Sequence, residues 1–378
     1  MHDNYSCAKI TAWTVVAIVL VAIGARGQTA SLHLETGEQI YRTACVACHG
    51  ADGKGTPKSV AGFEPPDSFP DFARCDQTTA EMDNDWRAVI VHGGRYRGFS
   101  QIMPSFSAAL NDEQISKVVS YLRHFCRESN PDEWPHAELN LPRAVVTEKA
   151  YPEDEEVVST SVNARGAPGN ETHIIHEQRF GAKNQIEVDV PILFENQAHT
   201  WYGGVGDATL GIKRVLFSSL RTGSIFALQG SLLVPSGNRT RGFGSGTTTF
   251  ETFAAYDQLF KTNTFFQTQF GADLPRHTDI APQSIFFHSA VGQTFGADHG
   301  LGRAWSPMME FLADRDLRDG AKTDWDILPQ MQVTISRRQH IRGDLGVRVP
   351  VTNTAGRAVQ IEFYLLWDWQ DGKLTEGW

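Results

Sequence analysis

The chain divides into two domains of opposite kind, an all-α domain in its first third and an all-β antiparallel domain in the rest. Three observations predict this. Between Thr36 and Phe125, apolar residues recur at helical spacing in two stretches, one near each end. From His173 onward, segments of about ten residues alternate apolar and polar side chains between Gly, Asp, Asn and Pro turns. The intervening residues 129–172 are acidic and carry prolines, which reads as a solvated linker whose few apolar residues, Trp134, Leu139, Leu141 and Tyr151, can dock onto one neighbouring domain.

The first helical stretch, Thr36 to Ala47, places Ile40 and Tyr41 on its apolar side and ends in Cys45-Val46-Ala47-Cys48-His49. Two thiols three positions apart on one helical turn can each add to a haem vinyl group. The histidine that follows then falls under the iron as its proximal ligand. A zinc-binding or disulfide CxxC leaves that histidine unexplained. The last stretch opens on Asn111-Asp112-Glu113, a cap with early acids that suits the positive end of a helix. Through Gln114–Phe125 it repeats Ile115, Val118, Val119 and Leu122 at helical spacing.

These residues carry a resemblance. The Cys-x-x-Cys-His-Gly run, the loop Asp52-Gly53-Lys54-Gly55, the later Ile102-Met103-Pro104-Ser105-Phe106 and the terminal helix resemble the class I (mitochondrial-type) cytochrome c family, in its order, over residues 31–127. The resemblance implies one covalent haem c on Cys45 and Cys48, with His49 as an axial ligand. It also implies that the first and last helices cross around aromatics at the position of Tyr121. Met103 sits in a loop before the last helix, where its thioether can reach the distal face of the haem, and Pro104 favours an extended residue before it. His33, His92 and His124 are rival ligands, and a core role for Met103 is the bland alternative. His/Met ligation raises the reduction potential relative to bis-histidine, so a moderately high-potential carrier is expected.

The chain has five cysteines. Cys7 falls in the N-terminal segment and Cys45 and Cys48 go to haem, which leaves Cys75 and Cys126. An even remainder in an exported protein suggests a disulfide between these two, against two separate buried thiols. Export is read from residues 1–27 as a signal peptide. Lys9 precedes an apolar run, Trp13 to Ile23, too short to span a membrane comfortably, and Ala25-Arg26-Gly27 offers small residues for cleavage. An uncleaved anchor is the alternative, because the n-region is weakly basic and contains Asp3.

The β domain, residues 173–378, shows its alternation most clearly in four segments. Phe266, Thr268, Phe270, Ala272 and Leu274 oppose Gln267, Gln269 and Asp273; Trp325, Ile327, Met331, Val333 and Ile335 oppose Asp326, Gln330, Gln332 and Thr334. Leu345, Val347 and Val349, with Ile341, oppose Arg342, Asp344 and Arg348. Ile361, Phe363, Leu365, Trp367 and Trp369, with Val359, oppose Gln360, Glu362 and Asp368. Similar segments begin near His173, Ile186, Asp207, Ser224, Thr247, Ser284 and Trp305, giving about 10–12 strands with one missed or split. Alternation alone does not say which face points inward. Segment length and aromatics at segment ends (Trp305, Trp325, Trp367, Trp369) favour an outer-membrane barrel over a soluble β domain. The nine residues after Trp369 weigh against it. Gly204-Val205-Gly206-Asp207, Leu210-Gly211-Ile212-Lys213 and Leu233-Val234-Pro235-Ser236-Gly237 resemble outer-membrane channel proteins of the phenol-degradation (meta-pathway) type.

A formal net charge of −10 without a basic, aromatic-interleaved cluster argues against nucleic-acid binding. Gly242-Phe243-Gly244-Ser245-Gly246 is a strand-connecting loop, since no helix follows it. His288, His299 and His340 lack ligand spacing, and Asp314, Arg315, Asp316 and Arg318 read as a loop or lumen charge network. The expectation is therefore an exported, non-enzymatic single-electron carrier in the periplasm of a Gram-negative-type bacterium. A barrel in outer-membrane lipid tethers it, and redox proteins are its partners. Two alternatives stand beside it: a channel for a small-molecule solute with an accessory haem domain, and a soluble periplasmic subunit of an oxidoreductase.

Overall fold

Thr36 starts the first helix through a reciprocal cap: its Oγ1 accepts from Gln39 N, and the Gln39 side chain accepts from Thr36 N. The computed structural model describes residues 34–57, 59, 64–66, 69–126, 134–296 and 304–378. The expected signal peptide, His33 and His299 lie outside them. Helix α1 (Gly37–Ile40) runs into a π-helical stretch, Tyr41–Cys45, and then α2 (Val46–His49). Helices α3 (Cys75–Thr78) and α4 (Asp83–His92) follow. Helix α5 (Asp112–Leu122) is capped by Asn111 and buries Ile115, Val118, Val119 and Leu122. The helical reading of Gln114–Phe125 starts two residues late, and its last three residues form a 3-10 turn.

α1 crosses α5 at Gly37, where a Cβ would lie 2.8 Å from the Cβ of Tyr121 and overlap the backbone of Lys117. Only glycine permits that approach. The Tyr41 ring then packs 5.5 Å from Tyr121 and 4.9 Å from Phe125. Sequence reasoning missed α4, whose first turn carries Asp83 and Asp85.

Among the described residues, thirteen antiparallel strands follow: β1 (Glu155–Arg165), β2 (Gly169–Phe180), β3 (Asn184–Gln197), β4 (Thr200–Val205), β5 (Ala208–Ser219), β6 (Ser224–Val234), β7 (Thr249–Leu259), β8 (Thr264–Pro275), β9 (Ser284–Gln293), β10 (Trp305–Asp316), β11 (Asp324–Thr334), β12 (Ile341–Pro350) and β13 (Val359–Asp368). β4 and β5 both pair with β3, so they act as one strand broken at Gly206-Asp207. β1 pairs with β13 and β2 with β3, which closes a 12-stranded barrel.

The faces are now assigned. Ile212, Phe270 and Leu345 are 59%, 58% and 59% exposed, whereas Lys213, Gln267 and Asp344 are 2%, 0% and 6% exposed. Apolar side chains cover the outside and polar ones line the lumen, the reverse of a soluble β domain. Trp305 and Trp325 are both exposed and sit at opposite rims, opposite Val333 and Ala313 respectively.

The linker boundaries need correction. Strand pairing begins at Glu155, not at 173, so β1 and the start of β2 lie inside the expected linker. Ser159, Thr160, Ser161 and Asn163 dilute the apolar alternation of β1, and inward-facing acids made it read as solvated. Residues 134–154 are not solvated surface either. Leu139, Leu141, Arg143, Thr147, Lys149, Ala150 and Tyr151 are buried. Their partners, on β2, β3, β7, β8, β10 and β13, encircle them, so residues 139–153 fill the lumen, whereas Ala137 and Glu138 bond Thr79 and Asp83 of the helical domain.

Candidate functional site

The π-helical stretch delivers the Cys45–His49 segment, and such one-turn irregularities are frequent at functional sites. The Tyr41 hydroxyl donates to the Gly50 carbonyl at 2.6 Å and so secures the turn beyond His49. Burial pushes that phenol well above its usual range, keeping it a donor. Gly55 N and Thr56 N donate to the carbonyls of His49 and Cys48, both at 2.9 Å, folding the loop after the motif back on it.

Cys45 and Cys48 are half-buried and unbridged. Burial, and then Cys48, raises the Cys45 thiol to about 11. The His49 ring stacks on Phe69 at 4.9 Å and lies tilted against Phe72 at 5.1 Å. Burial lowers its pKa to about 4, so it is neutral near pH 7 and keeps a lone pair for a metal. Its Nδ1 is buried with no hydrogen-bond partner among the described residues. Two free thiols, a neutral imidazole with an unpartnered nitrogen and an aromatic surround form a donor set that fits covalent haem.

The family model for cytochrome c matches residues 34–125. These residues are a cytochrome c domain. With it come covalently bound haem c and electron transfer as its general chemistry. A nicotinate dehydrogenase subunit of Pseudomonas putida (strain KT2440) is 31% identical over 96 residues, 24% of this chain and 7% of that protein. This chain therefore spans a small fraction of that relative. The c-type cytochrome KustC0563 is 24% identical over 24% of this chain and 99% of its own, with a TM-score of 0.21. An outer-membrane channel from Pseudomonas putida F1 is 11% identical over 60% of this chain and 99% of its own, with a TM-score of 0.38. The KdgM porin is 8% identical over 56% and 98%, at 0.37.

Within the cytochrome c domain, Phe72 links His49 to Trp86 of α4 at 5.5 Å, and the Arg123 guanidinium lies 4.2 Å over the Trp86 ring. α4 ends at Gly93, where the loop bearing Met103 begins. Gly94 N donates to the Met103 carbonyl at 3.0 Å, and Ser105 Oγ to the Val91 carbonyl at 2.6 Å, so the loop is tied to the end of α4. Of the rival histidines, His92 stacks on Tyr96 at 4.3 Å, and His124 Nδ1 lies 2.9 Å from the Ser120 carbonyl. Cys75 and Cys126 form a disulfide with Cα atoms 5.0 Å apart, which joins α3 to the end of the terminal helical segment.

The lumen is a second region of interest: the linker's apolar residues Leu139, Leu141 and Tyr151 pack inside it, while the polar contacts around them were not legible in the sequence. Glu310 of β10 accepts backbone N–H groups from Val145, Val146 and Thr147 at 3.0, 3.1 and 2.7 Å. Asp257 of β7 accepts from Ala150 N at 2.8 Å, and Gln185 of β3 from Glu153 N at 2.6 Å. Arg143 bridges Glu155 and Glu177 at 2.7 and 2.8 Å. The only signal for this in the sequence was acids and amides alternating inward on the strands, opposite an acidic, proline-bearing segment of matching polarity.

Proposed function

We propose that the chain is a monohaem c-type cytochrome that carries single electrons and is held by its barrel at the periplasmic face of an outer membrane. Cys45 and Cys48 would hold the haem covalently, and His49 and Met103 would bind its iron. The haem supplies a reversible one-electron iron couple; the protein supplies the fixed imidazole, the tied Met103 loop and a mostly aromatic surround. The observation that carries the reading is the His49 ring, packed by Phe69 and Phe72 with its buried Nδ1 unpartnered among the described residues, close behind two free thiols.

The barrel reads as the tether. Its outside is apolar with tryptophans at both rims, and its lumen is filled by the chain's own residues 139–153. β1 begins and β13 ends at the same rim, with Glu155 opposite Asp368, which puts both barrel ends on the haem-domain side. That rim is the periplasmic one for bacterial barrels. A filled lumen disfavours a free solute path, so the channel reading ranks second. The partners are redox proteins that exchange electrons with the haem and the lipid that surrounds the barrel; the protein itself makes and breaks no substrate bond.

The test is expression with haem-maturation machinery, membrane fractionation, and reduced and oxidised spectra. Haem in the outer-membrane fraction, with a band that migrates differently when unboiled, supports the tethered carrier. Haem confined to the soluble fraction overturns the tether. Replacing Cys45 and Cys48 by alanine should abolish haem that survives denaturing electrophoresis.

A further inference from the structure

We infer that the turn between β11 and β12 clamps the loop that carries Met103, with Arg338 as the positioning residue; the inference rests on Met103 as a haem ligand. The Arg338 side chain is only 6% exposed although it belongs to a barrel turn. Its Nη2 donates to the Gly98 carbonyl at 2.9 Å, and its guanidinium lies 4.6 Å over the ring of Phe99. Nη1 donates to Glu376 Oε2 at 3.1 Å, which fixes the fork from its other side.

The residues after β13 complete the clamp. Gly377 O accepts Arg337 N at 2.8 Å and Arg338 N at 3.2 Å. Gly98 is left-handed, with φ at 72°, and a Cβ there would lie 2.7 Å from the Cα of Gly377. The cytochrome loop, the barrel turn and the terminal segment thus meet backbone to backbone. A buried guanidinium that lost Gly98 and Phe99 would keep its charge with Glu376 on one side and nothing in their place on the other, so the arrangement resists opening.

Inside the loop the contacts run on to the ligand. Phe99 N donates to the Gly94 carbonyl at 2.9 Å, and Gly94 N donates to the Met103 carbonyl at 3.0 Å. Moving Gly98 and Phe99 therefore moves the frame that positions Met103. A thioether is a weak, neutral ligand, so its hold on iron depends on how well its loop is held. The barrel, on this account, is a structural part of the redox site as well as its tether.

The experiment uses the full-length, haem-loaded protein in detergent and measures imidazole binding to the oxidised form together with the midpoint potential. Imidazole binds iron only when Met103 leaves. Arg338→Ala should raise the imidazole association constant about tenfold and lower the potential, as loss of one charged hydrogen bond and one cation–π contact implies. Arg338→Lys, which keeps the charge but not the planar fork, should restore part of the difference. Unchanged affinity and potential in folded Arg338→Ala overturn the clamp. If Arg338→Ala fails to accumulate, Phe99→Leu decides: higher affinity supports the clamp and unchanged affinity overturns it. A wild-type spectrum lacking the long-wavelength Met–iron band instead overturns Met103 as ligand, a separate failure visible before any variant is made.

Discussion

Glu310 and Thr147 are joined by two hydrogen bonds inside the barrel: one carboxylate oxygen accepts the Thr147 backbone N–H at 2.7 Å and its hydroxyl at 2.6 Å. The other oxygen takes the N–H groups of Val145 and Val146, and Gln330 Nε2 donates to it at 2.5 Å. A backbone running through a barrel needs partners for its polar groups, and here a fully buried carboxylate provides them.

Glu310→Ala therefore should loosen the lumen segment. The wild type is expected to be nearly silent in planar-bilayer conductance, and the variant should show openings. It should also lose about 3 kcal/mol of stability, since several charge-assisted bonds go at once. A wild type that conducts steadily would count against the barrel as a filled tether.

Met103→Ala should remove the long-wavelength Met–iron band and lower the midpoint potential, while haem stays attached through Cys45 and Cys48. Spectra at several potentials check both. An unchanged spectrum would return the distal ligand to the other candidates, of which His92 and His124 already have partners in the fold.

Cys75 and Cys126 close a loop with a sequence separation of 51. Replacing both by alanine should destabilise the cytochrome c domain by about 4 kcal/mol on the chain-entropy account of a loop that long. The check is a denaturant titration followed at the haem absorption, with and without reductant; the wild type in reductant should approach the double variant.

Glu81, just before α4, hydrogen-bonds Asp371 in the segment beyond β13, so one of the two carboxyls must be protonated. Burial, then Asp85 and Asp368, raises Glu81 from 4.5 to about 7, and burial and Glu81 hold Asp371 well above its usual range. The folded chain thus keeps a proton that the unfolded chain releases. The stability tied to protonated Glu81 is full below about pH 4.5 and is lost as pH rises through about 7, while Asp371 keeps the hydrogen-bonding proton. Amide exchange at Gly98 and Arg338 should quicken across that window in the wild type, and Glu81→Gln should flatten the dependence.

The sequence itself shows much of this. Eleven segments were visible because strand side chains alternate faces one by one, which writes the pattern into consecutive residues. Two strands were missed: Glu155–Arg165, which carries serines, threonine and asparagine where apolar residues would have marked it, and the six-residue Thr200–Val205. The CxxCH and the capped α5 were readable for the same local reason: ligand spacing and capping act within a single turn of helix.

What the chain determined by itself is therefore local: the two kinds of domain, the Cys45–His49 donor set, the strand period and a loop bearing Met103. What tertiary structure alone decided is which strand face points outward, that residues 139–153 fill the lumen, and that Arg338 meets Gly98 across 240 positions. Period-two alternation is the same for a sandwich and a membrane barrel, so only closure of β1 on β13 separates inside from outside. Contacts such as Glu310 with Thr147 depend on where a ring closes in space, which no spacing along the chain records.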